Sequence, residues 1–284
     1  GTTTITYTNN NGCIKTATVT VNALPTITGT TTVCAGSTTQ LTGSPTAAAT
    51  TPWVSSNTAV ATVSNSGLVT GVAAGTSTIT YTNSNGCQIT TTVTVNPLPT
   101  ISGTLTVCAG LTTQLSGSGT PDATTPWSSS NTSIATVSSS GLVTGVAAGS
   151  ATITYKDANG CTKTATVTVN ALPTITGTTT VCAGTTTQLT GSGTAAATNP
   201  WVSSNTSVAT VSTTGLVTAV SAGTTTITYT NNNGCQQTAT ITVNALPTIT
   251  GTLSVCAGST TQLSGSGTPN ATTPWSSSNT AVAT

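Results

Sequence analysis

The chain has 284 residues, with 3 Lys, 2 Asp, no Arg, Glu, His, Met or Phe, and a formal net charge of +1. This excludes most catalysis, because a general acid or base needs a group titrating near neutrality and a hydroxyl nucleophile needs a base beside it. Asp122 and Asp157 alone cannot build a zinc or calcium site, no basic patch exists for nucleic acid, and no apolar run approaches the roughly 20 residues of a membrane helix.

Residues 1–22 read as the C-terminal part of a repeat, turned at Asn11-Gly12. The first complete repeat, 23–96, opens at Asn22-Ala23-Leu24-Pro25, a short linker stiffened by its proline. Turn signals every 8–12 residues predict strands at Thr26–Thr30, Thr31–Cys34, Thr38–Gly43, Trp53–Ser55, Ala59–Ser64, Leu68–Val72, Ser77–Thr82 and Gln88–Val95. In the last strand Ile89, Val93 and Val95 face one way and Thr90, Thr92 and Thr94 the other. Asn85-Gly86 is a hairpin signal between the last two strands. No stretch has helical period, and the Thr, Val and Ile content favours strands over disorder.

The pattern then repeats without insertion. Trp53, Trp127, Trp201 and Trp275 stand 74 residues apart, as do Cys34, Cys108, Cys182 and Cys256, and Cys13, Cys87, Cys161 and Cys235. Repeats 97–170 and 171–244 follow, and 245–284 begins another, so the sequence reads as a piece of a longer array. Seventy-four residues suffice for a small domain, which predicts an all-β protein of tandem sandwich domains, beads in a linear rod. Lys156, Asp157 and Asp122 replace uncharged residues of the neighbouring repeat and read as free surface.

The segment PWSSSNTSIATVSSSGLVTGVAAGSATITY, Pro126–Tyr155, with AGLTTQL at Ala109–Leu115 upstream, resembles the group 2 bacterial immunoglobulin-like domain. The resemblance recurs in every repeat. It implies an immunoglobulin-type β-sandwich in a secreted or surface-exposed bacterial protein, commonly an adhesin, with no catalytic residues to carry over. The VCAG and NGC elements are also similar to giant gliding adhesins of the Bacteroidota, which leave the cell by the type IX secretion route. Trp53, Trp127, Trp201 and Trp275 read as core, with an exposed sugar-stacking platform as the rival reading. Tyr81, Tyr155 and Tyr229 read as core as well.

Eight cysteines in an extracellular setting suggest disulfides. Pairing within a repeat joins Cys34 to Cys87, pairing across the linker joins Cys13 to Cys34, and pairing to the next repeat joins Cys34 to Cys161. In an immunoglobulin sandwich the VCAG turn lies at the C-terminal pole and NGC at the N-terminal pole, roughly 25 Å apart at about 3.3 Å per residue. A disulfide needs Cα atoms within about 7 Å. The VCAG pole of one domain faces the NGC pole of the next. Interdomain staples Cys34–Cys161 and Cys108–Cys235 are the leading expectation, with Cys13, Cys87, Cys182 and Cys256 pairing outside this segment; the other two arrangements and free thiols remain open.

The hydroxyl-rich surface suits solubility. Rows such as Thr90, Thr92 and Thr94 could also form an ice-binding array, though one strand per domain makes a narrow platform. Asn131, Asn205 and Asn270 begin glycosylation sequons, a chance match in a bacterium. The sequence thus predicts a stalk segment of a long extracellular adhesin filament on a bacterial surface. It has no enzymatic role and no cofactor, and its first partners are the neighbouring repeats. Surface polysaccharide, an abiotic surface, or other copies in a self-assembled fibre are the further candidate partners.

Overall fold

A computed structural model describes residues 1–284 and contains strands and no helix. The chain divides into two compact units, Gly1–Val169 and Asn170–Thr284.

The first unit opens with a hairpin of β1 (Thr2–Thr8) and β2 (Ile14–Thr20), exposed along its whole length. Eight strands follow in the first complete repeat: β3 (Thr26–Gly29), β4 (Thr32–Cys34), β5 (Thr38–Ser44), β6 (Trp53–Ser55), β7 (Ala61–Val63), β8 (Leu68–Gly71), β9 (Gly75–Thr82) and β10 (Gln88–Asn96). They form two four-stranded sheets, β3-β5-β8-β7 and β4-β10-β9-β6. All pairings are antiparallel except β4 with β10, which run parallel with Cys34 opposite Asn96. The first strand of the sandwich thus changes sheets between β3 and β4 without reversing, and β4 ends beside the end of β10.

The core lies between the sheets. Leu41, Val69, Ile79 and Val93 are fully buried, and Ile89, Thr91, Val93 and Val95 share the inner face of β10, as the period of two requires. Trp53 and Tyr81 are cross-strand partners whose ring centroids lie 4.6 Å apart. The Tyr81 hydroxyl donates to the Pro45 carbonyl, and its ring covers Gly43 so closely that a Cβ there would overlap it. Smaller polar ties recur with the repeat. Gln40 Nε2 donates to the carbonyls of Leu41 and Ser66, fastening β5 to the β7–β8 turn, and Gln114 and Gln188 do the same.

Two expectations need correction here. The strand predicted at Ala59–Ser64 is shorter, Ala61–Val63. Asn57 takes over residues 58–60 as a turn: its carbonyl accepts from the N–H of Val60 and Ala61, and its side chain accepts from Ala59. An Asx side chain that bonds its own backbone competes with a ladder.

The second repeat repeats this plan in β11 (Ile101–Gly103), β12 (Thr106–Cys108), β13 (Thr112–Gly117), β14 (Trp127–Ser129), β15 (Ala135–Val137), β16 (Leu142–Gly145), β17 (Gly149–Lys156) and β18 (Thr162–Asn170), with sheets β11-β13-β16-β15 and β12-β18-β17-β14. The second unit holds β19 (Ile175–Thr176), β20 (Thr180–Cys182), β21 (Thr186–Gln188), β22 (Thr190–Gly191), β23 (Trp201–Ser203), β24 (Ala209–Val211), β25 (Leu216–Ala219), β26 (Gly223–Thr230) and β27 (Gln236–Asn244), around the core of Leu189, Ile227, Tyr229 and Ile241. It ends in β28 (Ile249–Gly251) and β29 (Leu263–Gly265).

The second correction concerns Trp275, expected in a core and found half exposed. In the other repeats the ring is covered by a tyrosine on the adjacent strand, and residues 266–284 contain neither that strand nor a tyrosine.

Candidate functional site: the junction between repeats

No group of three or more His, Cys, Asp or Glu side chains converges anywhere, and the chain has no helix long and apolar enough to cross a membrane. What the fold brings together instead is chemistry at the ends of the sandwiches. In the first repeat β4 delivers Cys34 to the pole where β10 leaves the domain. The chain turns back at once, with the Ser37 N–H donating to the Cys34 carbonyl. That pole faces the following repeat, because β10 runs straight into the linker.

Cys87 lies at the other pole. It precedes β10, whose far end pairs with Cys34, so about nine extended residues, roughly 30 Å, separate the two. Its equivalent in the second repeat, Cys161, lies just after the hairpin between β17 and β18, at the pole facing the first repeat. The structure joins Cys34 to Cys161 by a disulfide, with Cα atoms 5.6 Å apart and a sequence separation of 127. Cys161 is 1% exposed, so its half of the bond is sealed from solvent. Cys108 and Cys235 are likewise disulfide-bonded, and Cys13, Cys87, Cys182 and Cys256 are free thiols.

The hairpin that presents Cys161 is built by a side chain that sequence reasoning misread. Asp157 was expected to be free surface, and it is buried. Its carboxylate accepts from the backbone N–H of Asn159 and of Cys161, at 3.0 and 2.8 Å, and so fixes the turn and the cysteine after it. Asn83 and Asn231 hold the same place and accept from the same two positions. Only the oxygen is needed, which is why Asn and Asp interchange, and the Asn83 Nδ2 is left buried without a partner. Recurrence of Asn, Asp and Asn four residues before each cysteine was the signal available in the sequence.

Lys156 and Asp122 are not free surface either. They form an ion pair of 2.9 Å, and the Asp122 carboxylate also accepts from the N–H groups of Thr124 and Thr125. The Thr125 N–H, then Lys156 and Thr124, hold the Asp122 carboxyl well below the usual carboxylate range. Burial, then the charge of Asp157, pushes the Tyr155 hydroxyl up.

Among the tryptophans, Trp53 and Trp201 are 6% and 7% exposed and so offer no face to a sugar, while Trp127 is partly buried against its core. A second surface feature is wider than the sequence suggested. The outer Thr row of β10 is matched across the ladder by β9, pairing Thr90 with Thr80, Thr92 with Thr78 and Thr94 with Thr76, and Thr32 of β4 adjoins Thr94. The narrow one-strand platform is therefore a sheet face of hydroxyls and methyls, spaced about 4.8 Å across strands and about 6.6 Å along them.

Three comparisons bear on this architecture. No curated protein matches the chain. Among solved structures, the chain is similar to invasin, a bacterial integrin-binding protein, at 18% identity and a TM-score of 0.36, over 88% of this chain and 66% of that one. It is similar to a fragment of intimin in complex with the intimin-binding domain of its translocated receptor at 21% identity and a TM-score of 0.28, over 62% and 59%. It is similar to the S-layer protein rSbsC at 17% identity and a TM-score of 0.26, over 93% and 52%. The chain thus spans about half to two thirds of the length of these proteins. The model of the bacterial Ig-like domain, group 2, matches residues 25–95, 89–169 and 171–243. Its match, repeated over most of the chain, places this protein in the family of group 2 bacterial Ig-like domains.

Proposed function

We propose that the chain is a stalk segment of a long extracellular bacterial adhesin, in which repeated sandwiches hold an adhesive part away from the cell. The observation that carries this reading is the disulfide Cys34–Cys161, which ties one repeat to the next across their linker. A covalent tie between domains serves shape and length; it gives nothing to catalysis. Disulfides of this kind persist in oxidising surroundings, which supports a surface location. The period of 74 carries the same pairing to Cys108–Cys235, and the tie stiffens each junction it spans. Repeats 23–96, 97–170 and 171–244 are then the units of length. The VCAG and NGC elements support a gliding adhesin exported by the type IX route as the finer form of this reading.

The paired Thr rows favour a second reading, in which the repeats themselves grip a polysaccharide or an abiotic surface through many weak contacts summed by avidity. Retention of the folded, oxidised chain on glass, polystyrene and polysaccharide-coated beads decides between the two. The stalk reading expects no retention above that of an unrelated β-sandwich array. Clear retention, lost when Thr78, Thr80, Thr90 and Thr92 are replaced by Lys, would instead make the repeats the adhesive.

A further inference from the structure

We infer that the staples turn the array into a tether that scarcely lengthens when its domains unfold. The inference rests on the stalk reading only for the tension it assumes; the geometry stands apart from it.

A pull along the chain reaches Cys34 at the end of β4 and there finds two covalent routes to Cys161. One runs through 127 residues of two domains, and the other crosses a single disulfide. Tension takes the short route once it is taut. The residues between the two cysteines then unfold without releasing length, whereas the same segment without the bond extends to roughly 430 Å at about 3.4 Å per residue.

The route beyond each staple is short for a second reason. After Cys161 the next cysteine of the VCAG type is Cys182, 21 residues on. The equivalent stretch inside the first unit, Cys87 to Cys108, shows its conformation. It is β10 from Gln88 to Asn96, a four-residue linker with two prolines, then β11 and β12, which run on toward the pole where Cys108 sits. Fifteen of those 21 residues lie in strands. At about 3.2 Å per residue it spans roughly 67 Å folded, and about 76 Å is the most 21 residues can reach. In an array stapled in this pattern, each pair of repeats gains only about a tenth in length when pulled out. An unstapled pair would reach roughly 500 Å, about sevenfold more. Two interleaved series of bonds, one containing Cys34–Cys161 and the other Cys108–Cys235, would share the tension.

The test pulls the oxidised chain between click handles introduced at exposed Thr32 and Lys163, which flank the staple. The expected result is lengthening below about 20 Å at forces that unfold the domains. Adding dithiothreitol under force then gives one further extension of roughly 430 Å. The Cys34→Ser variant is expected to show that extension without reductant. Two results would overturn the inference: lengthening by hundreds of ångströms in the oxidised chain, or no gain in length after reduction or in Cys34→Ser. Either leaves the surface-retention experiment, and with it the stalk reading, untouched.

Discussion

At the scale of single residues, each sandwich is pinned by one aromatic corner. Tyr81 fills the space over Gly43, stacks beside Trp53 and donates its hydroxyl to the Pro45 carbonyl. Tyr81→Phe keeps the ring and drops the hydrogen bond, so it should cost about 1 kcal/mol in urea unfolding. Gly43→Ala pushes a methyl into that ring and should cost about 1–3 kcal/mol in the same measurement, as overpacked cores do. The one ion pair gives a pH dependence. The folded carboxyl of Asp122 titrates below its unfolded value, so its contribution is present above the unfolded value near pH 4 and is lost as pH falls from there. Thermal unfolding from pH 6 to pH 2.5 should therefore show a small decline that Asp122→Asn removes. An undiminished decline in that variant would assign the sensitivity to another group.

At the scale of elements, the hairpin before each NGC cysteine is the piece on which the staple depends. Asn83→Ala strips the acceptor from the N–H groups of Asn85 and Cys87 and should cost about 1–3 kcal/mol, whereas Asn83→Asp should be nearly neutral because Asp157 already does this work in the next repeat. Equal losses for the two variants would contradict the account. Elements also show what the sequence could reveal. Most strands were legible, because alternation in a stretch such as Gln88–Asn96 and the Asn-Gly turns leave one register that buries Val93 and Val95. Residues 58–60 were not, because the side chain of Asn57 outcompetes a ladder that propensity alone favours. Asp157 was misread because charge is taken as exposed unless its backbone partners are seen. The width of the Thr face was missed for a similar reason, since pairing Thr90 with Thr80 requires the register, which composition does not supply.

At the scale of the whole molecule, the protein is an array whose properties follow from near absence of charge and from covalent ties. With one ion pair and a net charge of +1, its unfolding midpoint should be almost unchanged between 0.05 and 1 M NaCl, as thermal scans in the two salts would show. The Cys34–Cys161 bond is the part of a junction that one assay reads directly. The decisive measurement is peptide mapping of the native chain, alkylated and digested without reductant. The account predicts one linked peptide pair joining Cys34 to Cys161 and another joining Cys108 to Cys235. Recovery of Cys34 linked to Cys87 would contradict it, leaving each repeat an independently closed bead.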